Sequence, residues 1–249
     1  FACPPQQGHG PGQGSRSQRA LYKETPEADT PLKNSALHLC AKVAWFGRSW
    51  SVWETVVPKD VISYNSMIDL CARCRRLDVA EDVFREMGEA GITQGITSHN
   101  AIVNACGMCG HPQKALRYFS AIPVEVMQQA STQNKEVAYQ TVMIALARSG
   151  DYMRARELFI QMTARGVAPN SAHFNALLTA CAATGEASTA EQVFDLMPSY
   201  NVSPDVANWT ILLSCNRSCL PRCLEIVQRM EAAGVKPSSL TYQAHVRAG

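Results

Sequence analysis

Apolar side chains recur along this chain at the spacing of one helix face. In the stretch from Glu136 to Asn170, four of them follow the i, i+3, i+4, i+7 pattern of an amphipathic helix: Ala155, Leu158, Phe159 and Met162. An earlier apolar stretch runs from Val137 to Arg148, and Gly150 and Asp151 separate the two. Glycine readily adopts the left-handed turn that ends a helix, and aspartate caps the start of the next one. The pattern therefore predicts two helices joined by a tight turn.

The same pattern returns along the chain with a period of 31 to 40 residues. Each copy is marked by a pair of residues in its first helix: Lys33-Asn34, Tyr64-Asn65, His99-Asn100, Tyr139-Gln140, Phe174-Asn175, Trp209-Thr210 and Tyr242-Gln243. Alanine and phenylalanine also recur in phase in the second helix, at Ala80, Ala115, Ala155 and Ala190 and at Phe84, Phe119, Phe159 and Phe194. Each unit of such an array buries its apolar face only against its neighbours. The predicted fold class is all-α, a right-handed superhelical solenoid of stacked helix-turn-helix repeats.

The repeats divide residues 30–249 into units. These are 30–60, 61–95, 96–135, 136–170, 171–205 and 206–238, with a partial unit at 239–249 that predicts a C-terminal continuation. Residues 1–29 are rich in Gly, Pro and Gln and predict a disordered leader. Its first 23 residues carry basic side chains and no acidic one, as organelle transit segments do, although an ordinary disordered tail fits equally well. A start at Phe1 rather than Met predicts a fragment or a processed product.

Charge and hydropathy narrow the class of partner only slightly. The net charge is +2 and the sequence pI is about 8.1, which is compatible with a nucleic-acid partner without requiring one. No run of about 18 apolar residues occurs, so no membrane span is predicted.

The ten cysteines raise the question of a metal site. Four of them occupy one helix position in successive repeats, where a small packing residue is expected: Cys40, Cys71, Cys106 and Cys181. The pairs Cys71-x-x-Cys74 and Cys106-x-x-Cys109 have zinc-ligand spacing, but neighbouring helix axes about 8–10 Å apart would not gather four sulfurs around one metal. We therefore predict no metal, reduced packing cysteines and a reducing compartment.

Two stretches carry a resemblance to a known family. VISYNSMIDLCARCRRLDVAEDVFREM (61–87) and SAHFNALLTACAATGEASTAEQVFDLM (171–197), with Pro-Asp at 204–205, resemble pentatricopeptide repeats (PPRs). Tetratricopeptide repeats have a similar length and fold, but their Trp, Leu-Gly, Tyr arrangement is absent here. The resemblance covers residues 30–249.

The resemblance implies binding of single-stranded RNA along the inner groove, with one nucleotide read by the fifth and the last residue of each repeat. Transferred to this chain, the pairs are Asn34 with Asp60, Asn65 with Gly95, Asn100 with Lys135, Gln140 with Asn170, Asn175 with Asp205, and Thr210 with Ser238. In the family, Asn with Asp reads uracil, Asn leans to pyrimidine and Thr to purine. The implied target is U-Y-Y-N-U-R from the 5′ end, where Y is a pyrimidine, R a purine and N any base.

The family also implies base stacking at the second residue and phosphate contact eight residues after the fifth. The apolar second residues are Ile62, Val137, Ala172, Ala207 and Leu240, and the basic side chains are Lys42, Arg73 and Arg148. Ordinary helix packing at the second residues, and solvated polar side chains at the fifth, are the competing interpretations.

No catalytic motif accompanies the array, so the sequence predicts no enzyme, no cofactor and no small-molecule substrate. Histidines His99 and His173 lie in first helices and are interpreted as ordinary helix residues. The leading hypothesis is a sequence-selective RNA-binding protein of an organelle, with the plastid favoured over the mitochondrion, acting in RNA processing, stability, editing or translation. The alternative is a scaffold subunit of a large organellar complex that contacts other proteins.

Overall fold

The structure is a computed structural model that describes residues 30–42 and 46–237. Helices account for all of the regular structure in these ranges, which contain no strand. This confirms the predicted all-α repeat fold. The chain divides into two compact units between Gln94 and Gly95, and each is described by itself.

The first unit contains four described helices: α1 (Thr30–Lys42), α2 (Phe46–Thr55), α3 (Val61–Arg73) and α4 (Leu77–Glu89). They form two helical hairpins, α1–α2 and α3–α4, and α3 packs against both helices of the first hairpin. The aromatic rings of Trp53 and Tyr64, whose centroids are 5.0 Å apart, join the two hairpins.

The second unit contains nine described α-helices and one 3-10 helix. They are α5 (Ile96–Met108), α6 (Pro112–Ser120), α7 (Val124–Gln129), α8 (Thr132–Arg148), α9 (Tyr152–Ala164), α10 (Ser171–Thr184), α11 (Ala187–Asp195), the 3-10 helix Met197–Tyr200, α12 (Val206–Cys215) and α13 (Leu220–Ala232). The first helices of successive repeats pack on one another in the order α5, α8, α10, α12, and a second helix follows each of them. The first helices therefore form a continuous row in this unit.

The predicted phenylalanine positions hold neighbouring repeats together. In the second unit each of these rings meets an aromatic side chain at the fourth residue of the next repeat. The centroid distances are 5.1 Å for Phe119–Tyr139, 5.2 Å for Phe159–Phe174 and 4.4 Å for Phe194–Trp209. Packing is thus the role of these phenylalanines, as predicted, and the helix cysteines Cys71, Cys106 and Cys181 are buried as well.

The predicted turn chemistry is confirmed around residue 150. Gly150 takes a φ of +73°, which a residue with a side chain rarely adopts. Asp151 then caps α9, because its carboxylate accepts the backbone N–H of Arg154 at 3.2 Å.

Two helix boundaries differ from the prediction. Helix α8 begins at Thr132 rather than Val137, because the Ser131 hydroxyl accepts the N–H of Asn134 at 3.2 Å and caps the helix one turn earlier. The preceding repeat, 96–135, is longer than its neighbours 61–95 and 136–170. Its additional residues also form the short helix α7. The methionines seven residues after the repeating alanines, Met87, Met162 and Met197, predict the close of a second helix. Helix α11 ends at Asp195, however, so Met197 lies in a 3-10 turn instead.

None of the helices within residues 30–42 and 46–237 has both the length and the hydropathy needed to cross a membrane. The predicted leader 1–29 and the partial repeat 239–249 lie outside the described residues.

Candidate nucleic-acid interface

The predicted fifth residues all lie on first helices. They are Asn34 on α1, Asn65 on α3, Asn100 on α5, Gln140 on α8, Asn175 on α10 and Thr210 on α12. Asn34 is only 6% exposed, whereas the other five are half-buried. A polar side chain that keeps part of its surface exposed on a packed helix can still reach a ligand.

Four of the predicted last residues share a different structural task. Asp60, Gly95, Asn170 and Asp205 each occupy the N-cap position directly before a first helix. The side chains of the three that have one accept backbone N–H groups of the first turn. Helix capping therefore accounts for part of the preference for Asp and Asn at this position, whatever else the residues bind.

Lys135 does not share the geometry of the other last residues. It lies inside the first turn of α8, where its Nζ donates to the carbonyl oxygen of Gln128 at 3.2 Å. Ser131 holds the N-cap position instead, because the insertion in this repeat moves the helix start toward the N-terminus. The last residue of the sixth pair, Ser238, lies outside the described residues.

The structure brings the pair Asn34 and Asp60 into direct contact. Asn34 Nδ2 donates to both carboxylate oxygens of Asp60 at 3.1 Å, and Asn34 Oδ1 accepts the hydroxyl proton of Ser63 at 2.7 Å. Burial alone would raise the pKa of Asp60, but hydrogen bonds from Ser63 and Asn34 outweigh it and hold the pKa below its usual value. The carboxylate is consequently ionised at neutral pH.

The pair Asn175 and Asp205 is joined through a third residue, Asn208. Asn208 Nδ2 donates to Asn175 Oδ1 at 2.7 Å, and Asn208 Oδ1 accepts the backbone N–H of Asp205 at 2.8 Å. The Ser171 hydroxyl donates to the Asp205 carboxylate. Because Asn175 is half-buried and Asp205 is exposed, this pair has more accessible surface than the buried Asn34 and its partner.

Other polar atoms of the first helices lack a partner. Asn65 Oδ1 in the first unit, and Ser98 Oγ and Asn100 Oδ1 in the second, are buried without a hydrogen bond among the described residues. A buried acceptor without a donor costs about 1–3 kcal/mol.

Three of the four predicted second residues that the structure describes are exposed, and the fourth is half-buried. Ile62 is 62% exposed and Val137 is 41% exposed, while Ala172 is half-buried and Ala207 is exposed. Large apolar side chains that stay open on a packed helix are available to a planar ligand. Leu240 lies outside the described residues.

A cavity of about 360 Å³ lies between α8 and α10. Its lining combines two fifth residues, Gln140 and Asn175, with the second residue Ala172 and the basic residue Arg148. Residues predicted separately for base reading, stacking and phosphate contact thus meet at one place.

The predicted phosphate contacts differ in availability. Arg73 Nε pairs with Asp69 at 2.8 Å, which neutralises part of its charge. Arg148 is exposed and has no ion pair within the described part of the chain. The side chain of Lys42, at the end of α1, lies outside what the structure describes.

The third residue of each repeat was not among the predicted site residues. Ser63 and Asn208 occupy this position, are fully buried and contact the fifth residue of the preceding repeat. His173, at the same position, is also fully buried. A polar residue three places after a capping Asp or Asn was the available signal, because it is the signature of a capping box.

These features define a class of protein: an α-helical repeat array with a row of polar side chains along its first helices. Residues 98–249 match the family model described as the pentacotripeptide-repeat region of PRORP, and residues 59–108 match that of the PPR repeat family. The first match alone covers more than half of the chain. The chain belongs to the pentatricopeptide repeat family.

Curated relatives are much longer than this chain. A mitochondrial pentatricopeptide repeat-containing protein of Oryza sativa subsp. japonica is 27% identical to this chain. The match covers 63% of this chain and 26% of that protein. A chloroplastic one of Arabidopsis thaliana is 32% identical over 43% of the chain, which spans 13% of that protein.

Two solved structures have the same fold. The pentatricopeptide repeat protein PPR10 from maize superposes with a TM-score of 0.64 at 22% identity, covering 86% of this chain and 31% of that one. The PPR domain of Arabidopsis thaliana protein-only RNase P 1, solved in complex with tRNA, gives a TM-score of 0.56 at 16% identity, covering 73% of this chain and 94% of that one. At these identities the likeness concerns the fold.

Proposed function

We propose that this chain binds single-stranded RNA along the row of first helices, with one base facing each pair of fifth and last residues. Family membership supports the proposal, and so does the tRNA complex of the related Arabidopsis domain. The expected target of the six repeats is U-Y-Y-N-U-R. The proposal contains no catalytic step.

The observation that carries the proposal is the arrangement at Asn175 and Asp205. An amide and a carboxylate, both accessible, are linked by the buried side chain of Asn208. The amide N–H can donate to a uracil carbonyl oxygen, and the carboxylate can accept the uracil N3–H. Guanine also offers a carbonyl beside an N–H on this edge, and the family's pairing of Asn with Asp is what selects uracil over it. The pair therefore favours uracil.

Stacking and backbone contacts complete the proposed site. The cavity between α8 and α10 offers Ala172 as an apolar surface and Arg148 as a cation. Base stacking contributes about 1–3 kcal/mol for each base, so it supplies most of the affinity. Basic side chains occupy only three of the predicted phosphate positions, Lys42, Arg73 and Arg148, and the salt dependence of binding should accordingly be modest.

An organellar location belongs to the same proposal. It is supported by the relatives, which carry mitochondrial and chloroplastic names. Binding a short RNA site there would act on RNA processing, stability, editing or translation. The plastid is the location we would examine first.

Fluorescence anisotropy tests the proposal directly. The chain is titrated with labelled RNA containing U-Y-Y-N-U-R, with a scrambled RNA and with the matching DNA, each at two salt concentrations. The cognate RNA should bind best, and Asn175→Ala should weaken it about tenfold, as expected for loss of one or two hydrogen bonds. Asp205→Asn is the better variant of the last residue, because it keeps the helix cap.

Met153→Ala is the matched control, since this side chain is 69% exposed on the second helix α9. It should leave binding unchanged. Equal affinity for all three nucleic acids would remove base reading from the proposal. Absence of binding to any of them would favour the scaffold hypothesis and a search for protein partners.

A further inference from the structure

The third residue of a repeat contacts two neighbours at once. As N3 of its own first helix, it closes a capping box with the last residue of the preceding repeat, as Ser63 does with Asp60 and Asn208 with Asp205. Its side chain also donates to the amide oxygen of that repeat's fifth residue, Asn34 in one case and Asn175 in the other. Both third residues are fully buried, so they cannot themselves touch RNA.

We propose that Asn208, the third residue of its repeat, is a positioning residue that sets which end of the Asn175 amide faces the RNA, and thereby which base is selected, and that a donor side chain at this position does the same in other repeats. The proposal rests on the RNA-binding function proposed above.

The orientation of the Asn208 side-chain amide is set by the backbone N–H of Asp205. The backbone N–H of Asp205 can only donate, so Asn208 must turn its Oδ1 toward it, at 2.8 Å. Asn208 Nδ2 is then directed to Asn175, which must present Oδ1 to receive it, at 2.7 Å. The Nδ2 group of Asn175 is left for a ligand. A flipped Asn175 would place one N–H group against another.

The same orientation occurs at Asn34 with a different third residue. The Asp60 carboxylate can only accept, so Asn34 must turn Nδ2 toward it, and Oδ1 then faces the Ser63 hydroxyl. Asn34 therefore presents Oδ1 to its third residue as Asn175 does, but the Asp60 carboxylate sets this orientation. The single proton of the Ser63 hydroxyl can go to Asn34 Oδ1, at 2.7 Å, or to Asp60 Oδ1, at 2.8 Å.

The repeat 96–135, whose fifth residue is Asn100, provides the contrasting case. The residue at the third position of the next repeat is Ala138, which is fully buried and has no donor. Asn100 Oδ1 is buried without a hydrogen bond among the described residues. The two observations agree, since an amide without its third-residue donor has no partner to fix it. The corresponding residues Asn65 and Ser98 lie in different units and carry no part of this inference.

His173 shows that the third position can also be directed elsewhere. Its Nδ1 accepts the backbone N–H of Asn170 at 3.2 Å, which leaves Nε2 as the donor to the Glu136 carbonyl at 3.1 Å. Both nitrogens are used on the backbone. Gln140, the fifth residue of that repeat, is therefore not held by this histidine, and we expect weak selection there.

The test measures base discrimination one nucleotide at a time. RNAs that differ only at the nucleotide assigned to Asn175 carry U, C, A or G, and anisotropy gives four affinities for each variant. We expect the unmodified chain to prefer U over the purines by about tenfold, the value of roughly one well-made hydrogen bond. Asn208→Ala should reduce this ratio to within about twofold, and Asn208→Ser should restore part of it, because a serine hydroxyl at this position lies within hydrogen-bond distance of the fifth-residue amide oxygen in the case of Ser63.

Ala138→Ser is the complementary gain of function. It places a hydroxyl at the position that corresponds to Ser63, where Asn100 Oδ1 has no donor. Discrimination for pyrimidines at the nucleotide assigned to Asn100 should rise severalfold, while the ratio at the Asn175 nucleotide stays constant. Thermal unfolding followed by circular dichroism establishes that each variant is folded.

The outcomes separate this inference from the proposed function. No base preference in the unmodified chain would overturn base reading itself. A preference that persists unchanged in folded Asn208→Ala would overturn the positioning role while leaving base reading intact. Equal weakening toward all four RNAs would show that Asn208 is merely structural, which also overturns it. If Asn208→Ala does not fold, Asn208→Ser and Ala138→Ser decide, and an unchanged ratio at Asn100 in Ala138→Ser counts against the inference.

Discussion

Replacing Phe159 by alanine should open the interface between two successive repeats. The ring is 6% exposed and lies 5.2 Å from the ring of Phe174 and 5.4 Å from that of Tyr200, centroid to centroid. Truncating a buried phenylalanine costs about 3–5 kcal/mol of unfolding free energy. Two edge-to-face ring pairs, at about 0.5–1.5 kcal/mol each, are part of that loss. We expect a decrease of about 3–4 kcal/mol for Phe159→Ala.

Urea unfolding followed by circular dichroism at 222 nm measures this decrease. Phe159→Leu keeps most of the volume and should lose about 1–2 kcal/mol, which isolates the contribution of the ring geometry. Met153→Ala, on the exposed face of the same helix, should change stability by less than about 0.5 kcal/mol. A loss below about 1 kcal/mol for Phe159→Ala would refute the idea that aromatic contacts hold these repeats together.

Three further predictions concern pH, packing and salt. Burial lowers the pKa of His173, so the unfolded chain binds the proton more tightly and stability falls as the pH drops through about 6.5. Between pH 7.5 and 5.5, thermal unfolding should show a smaller loss of stability for His173→Gln than for the unmodified chain. An identical loss in both proteins would contradict a neutral buried ring. A methyl group added at Gly107 would lie 2.8 Å from Cβ of Ala145, so Gly107→Ala should lower stability by about 1–3 kcal/mol in urea unfolding, whereas Gly47→Ala, with nothing within 4 Å, should not. Arg148→Ala should reduce the steepness of log affinity for RNA against log salt concentration by about 0.7. Arg85→Ala should leave the slope unchanged, because the Arg85 guanidinium is already paired with two acidic side chains. Equal slopes for the unmodified chain and both variants would exclude a phosphate contact at Arg148.

Interactions that span only a few residues could be predicted from the sequence. The cap at Asp151 and the turn at Gly150 depend on local backbone chemistry, and the periodic phenylalanines depend on the helix repeat. The fifth and last residues were located for the same reason, since they keep a fixed distance from the markers of each repeat. Where that register is broken, at Lys135, the residue lies inside a first helix rather than at its N-cap, because Ser131 starts the helix earlier.

Contacts between repeats required the tertiary structure. Ser63 reaches Asn34 across 29 positions, and Asn208 reaches Asn175 across 33, so nothing local in the sequence connects them. Whether a polar side chain is available also depends on its neighbours, as the ion pair of Arg73 with Asp69 and the open guanidinium of Arg148 illustrate.

The sequence by itself determined the periodic helices, their turns and their caps, because these follow from spacing and from residue chemistry within one repeat. The tertiary structure decided which side chains meet when one first helix packs on the next. That packing buries Asn208 beside Asn175 and fixes the direction of an amide, and the direction depends on two hydrogen bonds formed between residues of different repeats.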